Sequence, residues 1–276
     1  MKLSNIEFVN HASVILSHDN VSILSDPWFN GAVFNDGWRL LHEVNAERIN
    51  NILKKITHIY ISHEHPDHFS PSFFTNEKNK NILIEKNVKI LFQETKDKRV
   101  VNFLKKQNYE VIEVKNDEEI KLGDEVTAEI KKYDFYDSLF IFKTPELKIL
   151  NLNDCPLREK NEIYSFKKKY GSFDILLTQF SYAAWKGGVK NKIYREMAAK
   201  EKLESIENQA RILNCKSVLP FASYIYFSNE LNSYMNDSIN SPEIIKKFFL
   251  DKNINIVILS PGEMQNLKNL VQKKNL

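Results

Sequence analysis

The 276-residue chain is 42% hydrophobic, 12% aromatic and 27% charged, which gives ample side chain for a core and excludes an intrinsically disordered protein. A formal net charge of +3, with the lysines scattered along the chain, argues against nucleic acid as a partner. Two cysteines, Cys155 and Cys215, stand without CxxC spacing and suggest neither a disulfide framework nor a cysteine-built zinc site.

No apolar stretch reaches the roughly 18 residues that a bilayer span needs, and the N-terminus lacks a basic head, apolar core and cleavage site. The expectation is a cytoplasmic protein without membrane association. With no Pro/Gly/Ser-rich linker, residues 1–276 read as one domain. The basic runs Lys167-Lys-Lys169 and Lys273-Lys274 read as solvated faces.

In chain order, residues 6–9, 13–16 and 21–24 form a meander of short β-prone runs, which Asp26-Pro-Trp-Phe29 ends. A helix over 43–55 leads to a buried strand over 57–62. Strands at 88–92 and 109–114 flank a helix at 97–106, a βαβ-like order. Close-spaced strands follow at 126–133, 138–142 and 148–152, then a helix, a strand at 174–177 and a Gly187-Gly188 loop. The longest helix runs over 191–213, with Ile193, Met197, Leu203, Ile206, Ala210 and Leu213 as its core stripe. Residues 218–219 and 254–259 close the series as buried strands. Two meander-plus-helix blocks predict an α/β fold in which two sheets pack face to face with helices outside, a four-layer αββα sandwich.

The segment Ile61-Ser-His-Glu-His-Pro-Asp-His-Phe-Ser70 carries the chemistry. An extended chain past the strand lets His63 and His65 project together, while Asp67 and His68 fall in the turn before a helix starting at Pro71. Such clustered imidazole and carboxylate is a metal-site spacing that suits zinc, iron or manganese. Glu64 points to the other side, with an acid/base role as the alternative, His58 reads as packed or as a residue supporting a ligand, and Cys155 as a small buried residue. The loop Phe180-Ser-Tyr-Ala-Ala-Trp-Lys-Gly-Gly188 offers Tyr182, Trp185 and Lys186 for stacking on a ring and gripping a phosphate, and reads equally as a surface loop.

The motif His63-x-His65-x-Asp67-His68, the meander with Asn10-His-Ala-Ser13 and Asp26-Pro27, and the downstream Asp154 together resemble the metallo-β-lactamase superfamily over nearly the whole chain. Residues 57–70, Ile149-Leu-Asn-Leu-Asn-Asp-Cys155, Leu219-Pro-Phe-Ala-Ser-Tyr224 and the loop near Gly187 are similar to the metallo-β-lactamase-like region of the CMP-N-acetylneuraminate hydroxylases. The resemblance implies His63, His65, Asp67, His68 and Asp154 as ligands of one or two divalent metal ions, iron, zinc or manganese. Asp154 reads alternatively as a helix N-cap before Pro156. Asp67 and His68 are the expected catalytic groups; the resemblance places His11 near the pocket, where it reads as a substrate contact or equally as a structural hydrogen-bonding residue, and Tyr224 at a substrate site. All seven histidines lie at or before His68, so Asp134 or Asp137 stands in for a later imidazole, and more carboxylate favours iron or manganese over zinc.

Three functions follow. The first is a di-iron oxygenase or hydroxylase acting on a sugar or nucleotide-sugar. This sequence has too few cysteines and late histidines for a Rieske centre, so a separate electron-transfer protein is the expected partner. The second is a hydrolase of a phosphoester, lactone or amide, with water activated by the metal. The third is a degenerate member that only binds a ligand.

Overall fold

The computed structural model describes residues 3–272; the Lys273-Lys274 pair lies outside them. The chain opens with the antiparallel meander β1 (Ser4–Asn10), β2 (Ser13–His18) and β3 (Val21–Ser25). Two short strands follow, β4 (Ala32–Val33) and β5 (Trp38–Leu40), then helix α1 (Ala46–Lys55) and strand β6 (His58–Tyr60). The side chain of Asn45 starts α1 by accepting a hydrogen bond from the Arg48 N–H at 2.8 Å, which satisfies one of the donors a helix start leaves open. Helices α2 (Pro71–Thr75) and α3 (Glu77–Glu85), strand β7 (Lys89–Gln93), helix α4 (Arg99–Lys106) and strand β8 (Val111–Val114) complete the first block.

The second block runs through β9 (Glu119–Lys121), β10 (Thr127–Tyr133), β11 (Asp137–Lys143), β12 (Lys148–Asn151), α5 (Lys160–Tyr170), β13 (Ile175–Gln179), α6 (Lys192–Ile212) and β14 (Ser217–Phe221). Strand β15 (Ile225–Phe227), a 3-10 turn at Ser233–Ser238, α7 (Pro242–Phe249), β16 (Met264–Asn266) and α8 (Leu267–Gln272) follow.

The strands form a seven-stranded sheet β16-β1-β2-β3-β6-β7-β8, a six-stranded sheet β14-β13-β12-β11-β10-β9, and a small sheet β15-β5-β4. Alternation along β6 shows how the layers are made. Ile59 joins Leu24, Ile90 and Phe92 against Ile52 and Leu53 of α1, Phe74 of α2 and Leu104 of α4. Tyr60 points the other way, into the second sheet, where its ring stacks on Phe140 at 4.4 Å. Leu203, Ile206 and Ala210 of α6 and Ile163 of α5 cover the second sheet. Helices, sheet, sheet and helices are thus layered as the sequence predicts.

Two expectations are corrected. Residues 254–259 form no strand: a single bridge, Ile256 to Val218, holds them at the edge of β14, and of these residues only Leu259 is fully buried. In α6, Ile193 and Met197 are exposed. The buried face of its first turns is carried by Arg195, Ala198 and Ala199 instead. Arg195 tolerates burial because its guanidinium forks onto Asp237 at 2.8 and 2.7 Å and donates to the Gly188 carbonyl at 2.8 Å, satisfying its charge and fixing the Gly187-Gly188 loop. No helix among the described residues is long and apolar enough to cross a membrane.

Candidate metal centre

The site lies where loops leave the C-terminal ends of β3, β6, β12, β13 and β14, the usual place for ligand contacts in sheets of this kind. Several of these loops turn through left-handed backbone at non-glycine residues: Asp26 at φ 39°, Asn153 at 48° and Ala222 at 53°, with His11 at 25° after β1. Such conformations cost free energy and persist where the surroundings fix them.

Asp26, wholly buried, organises the motif. Its carboxylate accepts hydrogen bonds from the Ser62 N–H and Ser62 Oγ, both at 2.8 Å, and from His68 Nδ1 at 2.8 Å. Because the Ser62 hydroxyl donates to Asp26, its oxygen is left to accept from His63 Nδ1 at 2.9 Å. Both imidazoles therefore carry their proton on Nδ1 and turn Nε2 inward, the arrangement a metal requires. The turn after them is closed by the N–H groups of His68 and Phe69 on the His65 carbonyl, at 2.9 and 2.7 Å.

The inward atoms converge. His63 Nε2 lies 2.9 Å from His65 Nδ1 and 3.7 Å from Asp137 Oδ1. His68 Nε2 lies 3.3 Å from both Asp67 Oδ2 and Asp154 Oδ1, and His11 Nε2 lies 3.4 Å from Asp67 Oδ2. Two groups, His63 with His68 and Asp154, and His11 with Asp67 and His68, each bring one donor atom per residue within 4.8 Å of one another. Ligands about 2.1 Å from a tetrahedral cation stand roughly 3.4 Å apart, so these separations fit. Buried atoms without a hydrogen-bond partner also mark the cluster: Asp67 Oδ1, His68 Nε2 and Asp137 Oδ1. Native interiors rarely leave such atoms unpaired, and a divalent cation would satisfy them together.

Electrostatics tell the same story for the metal-free chain. Burial opposes a charge on His68, but the carboxylates of Asp154, Asp67 and Asp26 outweigh it and hold its pKa well above the ordinary histidine value. Burial, with the neighbouring His68, pushes His63 down to about 3, leaving it neutral and ready to bind. Burial also pushes Asp137 up to about 6, aided by the charge of Asp154. Too many carboxylates face too few cations, and a proton on His68 stands where a metal would.

Asp154 belongs to the cluster and is no helix cap, since α5 starts only at Lys160 with Glu159 before it; Gln179 donates to its Oδ1. Of the two candidate aspartates in the β10–β11 turn, Asp137 reaches the His63 side, whereas Asp134 is exposed and joins neither group. Glu64 pairs with Arg99 at 2.7 Å, outside the site. His58 and Cys155 are buried and join neither donor group. Asp26 is the residue that sequence reasoning did not place in the site; the Asp26-Pro27 pair at the end of the meander was the available signal.

A cavity of about 390 Å³ opens beside the cluster, lined by His65, Asp67, Asp137 and Asp154 on one side and by Arg158, Lys186 and Lys202 on another, with Trp38 of β5 and Phe34 of the β4–β5 turn. Tyr182 also lines it, though its hydroxyl is spent on the Met235 carbonyl. Trp185 is 69% exposed and does not line the cavity, and Tyr224 is packed between Phe8 and Phe180. Neither is brought to the site.

A family model described as the beta-lactamase superfamily domain matches residues 5–197, more than half of the chain. The chain belongs to this family. Within the beta-lactamase superfamily it is 34% identical over 65 residues to the cytidine monophosphate-N-acetylneuraminic acid hydroxylase of Danio rerio, a match that covers 24% of this chain and 11% of that protein. Its fold is similar to CmlA, a diiron beta-hydroxylase from Streptomyces venezuelae, with TM-score 0.61, 15% identity, and coverage of 96% of this chain and 54% of that one. An isothiocyanate hydrolase from Delia radicum gut bacteria is similar at TM-score 0.65 and 15% identity, with 96% and 98% covered. At these identities the structural likeness establishes the metallo-β-lactamase fold.

Proposed function

We propose that this superfamily member is a metal-dependent enzyme for a small anionic organic substrate, with oxygen-dependent hydroxylation of a sugar or nucleotide-sugar as the first reading. The observation that carries it is a donor set rich in carboxylate, Asp67, Asp137 and Asp154 with His63, His65 and His68, opening on a cavity that holds Arg158, Lys186 and Lys202. Oxygen-rich donor sets favour iron and manganese over zinc. Bound there, the metal ions supply Lewis acidity and, if iron, the redox capacity that oxygen chemistry needs.

The chain's own residues do the rest. Among the described residues, Arg158 and Lys186 have no carboxylate partner, so they are available for a phosphate or carboxylate group. Trp38 and Phe34, whose ring centroids are 4.6 Å apart, offer a face for a planar ring. Asp67, whose Oδ1 has no hydrogen-bond partner, is placed to accept a proton at the reacting centre, while His68, its Nδ1 held by Asp26, serves as a ligand. The similarity to the hydroxylase segment supports a nucleotide-sugar such as CMP-N-acetylneuraminate, and this reading requires an external electron donor.

A second reading, hydrolysis of a phosphoester, lactone or amide, is favoured by Lys202. Burial pushes its amine down to about 8, and it donates to Gln179, which in turn holds Asp154. An amine titrating near neutrality next to the site is suited to proton transfer without any redox partner. Oxygen uptake by the iron-loaded chain with a reductant, dependent on CMP-N-acetylneuraminate, is expected under the first reading. Turnover of an activated phosphoester or lactone by the zinc- or manganese-loaded chain, without oxygen uptake, would replace it with the second.

A further inference from the structure

We infer that His11 is a metal ligand, supplying from the N-terminal meander the imidazole of a second cation position whose other donors are Asp67 and His68. The inference rests on the metal-dependent reading above and extends it to a residue that the His63–His68 motif does not contain.

The second position lacks a downstream imidazole. No histidine follows His68, and the loop after β14 presents Phe221-Ala222-Ser223. Ser223 cannot serve, because its Oγ already accepts hydrogen bonds from the N–H groups of Phe180 and Ser181 at 3.2 and 3.1 Å. What that loop does is seat His11: the Ala222 N–H donates to the His11 carbonyl at 2.7 Å. The imidazole of His11 therefore occupies the space beside the β14 loop and faces the motif.

Its aim is fixed. The ring is 2% exposed, stands edge-on to Trp28 at 5.7 Å, and is carried by a backbone at φ 25°. The preceding Asn10 anchors the turn by donating to the Trp28 carbonyl at 3.0 Å. A strained residue so tightly held marks a position where orientation matters. Asp67 Oδ2 lies between His11 Nε2 and His68 Nε2, at 3.4 and 3.3 Å. These are the edges of a cation's coordination shell and are long for a hydrogen bond.

His11 Nδ1 is buried with no partner, whichever nitrogen carries the proton, so the contact made by Nε2 decides between a ligand and a simple hydrogen-bonding partner of Asp67. With the proton on Nδ1, the Nε2 lone pair would face a carboxylate oxygen, a repulsive contact unless a cation stands between them. With the proton on Nε2, the hydrogen bond to Asp67 Oδ2 is a poor one at 3.4 Å. A cation shared by Nε2 and Oδ2 removes the repulsion and gives both inward atoms a partner.

The test is titration of the metal-free, full-length chain with Co²⁺, read by calorimetry and by visible absorption, which reports the ligand set. The parent is expected to take up two equivalents. His11→Ala and His11→Gln should each keep one tight equivalent and lose the other, or weaken it by more than the 10- to 100-fold or so that loss of an outer hydrogen-bonding partner costs, with an altered spectrum. Gln preserves an N–H donor and most of the volume, so it carries the comparison if the Ala variant does not fold. Two equivalents with the parent spectrum in either variant would overturn the assignment. A parent that binds no cobalt would overturn the metal reading as well, a different and recognisable failure.

Discussion

Every imidazole near the site leaves the first sheet, His11 after β1 and His63, His65 and His68 after β6, whereas the second sheet sends the carboxylates Asp137 and Asp154 and the amide of Gln179. The two halves are tied by a short polar bridge. Tyr60 donates to the Ser138 carbonyl at 3.0 Å, Ser138 Oγ donates to the Ser62 carbonyl at 2.6 Å, and Asn153 donates to the Tyr60 hydroxyl at 3.3 Å. The imidazole half is assembled within one sheet, by the loops after β1 and β6 and the buried Asp26. The carboxylate half exists only once the sheets are packed in register, so metal binding and folding should be linked.

The largest effect is expected at the residue that faces the imidazoles from the second sheet. Asp154→Asn removes the negative charge beside both His63 and His68, and we expect metal affinity to fall at least about 100-fold, measured by competition with a chelating indicator. Unchanged affinity would mean that the first-sheet loop binds alone. Next comes Asp26→Asn, which leaves every inward donor in place but loosens Ser62 and His68. Its expected cost is a 10- to 100-fold loss of affinity, roughly, and a lower melting temperature, because a buried network loses its charge-assisted bonds.

The line between what was legible in the sequence and what was not follows the same division. His63, His65, Asp67 and His68 are contiguous, and a strand ending before them dictates their shared direction, so local spacing sufficed. The choice between Asp134 and Asp137 did not follow from spacing, because it depends on where the β10–β11 hairpin turns. Tyr133 pairs with Asp137, which puts Asp134 at φ 52° in the solvent-facing turn. In α6, hydrophobicity favoured Ile193 and Met197 over Arg195, and only the tertiary partners Asp237 and Gly188 show why a charged residue is buried there. Residues 254–259 have the apolar content of a strand but a neighbour on one side only. The aromatic loop was read correctly as a loop, yet only Tyr182 and Lys186 of its three candidates line the cavity, since which side a loop residue faces has no periodic signal.

Smaller effects sharpen the contrast. Without metal, burial works against a charged His68 and the carboxylates of Asp154, Asp67 and Asp26 overcome it, so the proton is held well above the usual histidine range. A cation needs that nitrogen bare. Uptake should therefore release a proton, and affinity should rise with pH until the raised pKa is passed. Calorimetry in two buffers of different ionisation enthalpy checks this, and affinity independent of pH with no proton release would contradict it. The smallest expected effect is Glu64→Gln. Although it lies between two ligands, its carboxylate reaches outward to a largely exposed Arg99, and stability should change by no more than about 1 kcal/mol, with metal content unchanged.

Metal content decides whether these side chains form a metal centre. After equilibration with Fe²⁺, Mn²⁺ or Zn²⁺ and removal of loosely held ions, elemental analysis should find tightly bound metal in the parent chain and a strongly reduced amount in the Asp154→Asn variant. A folded parent chain that retains no metal under any of these conditions would contradict the account.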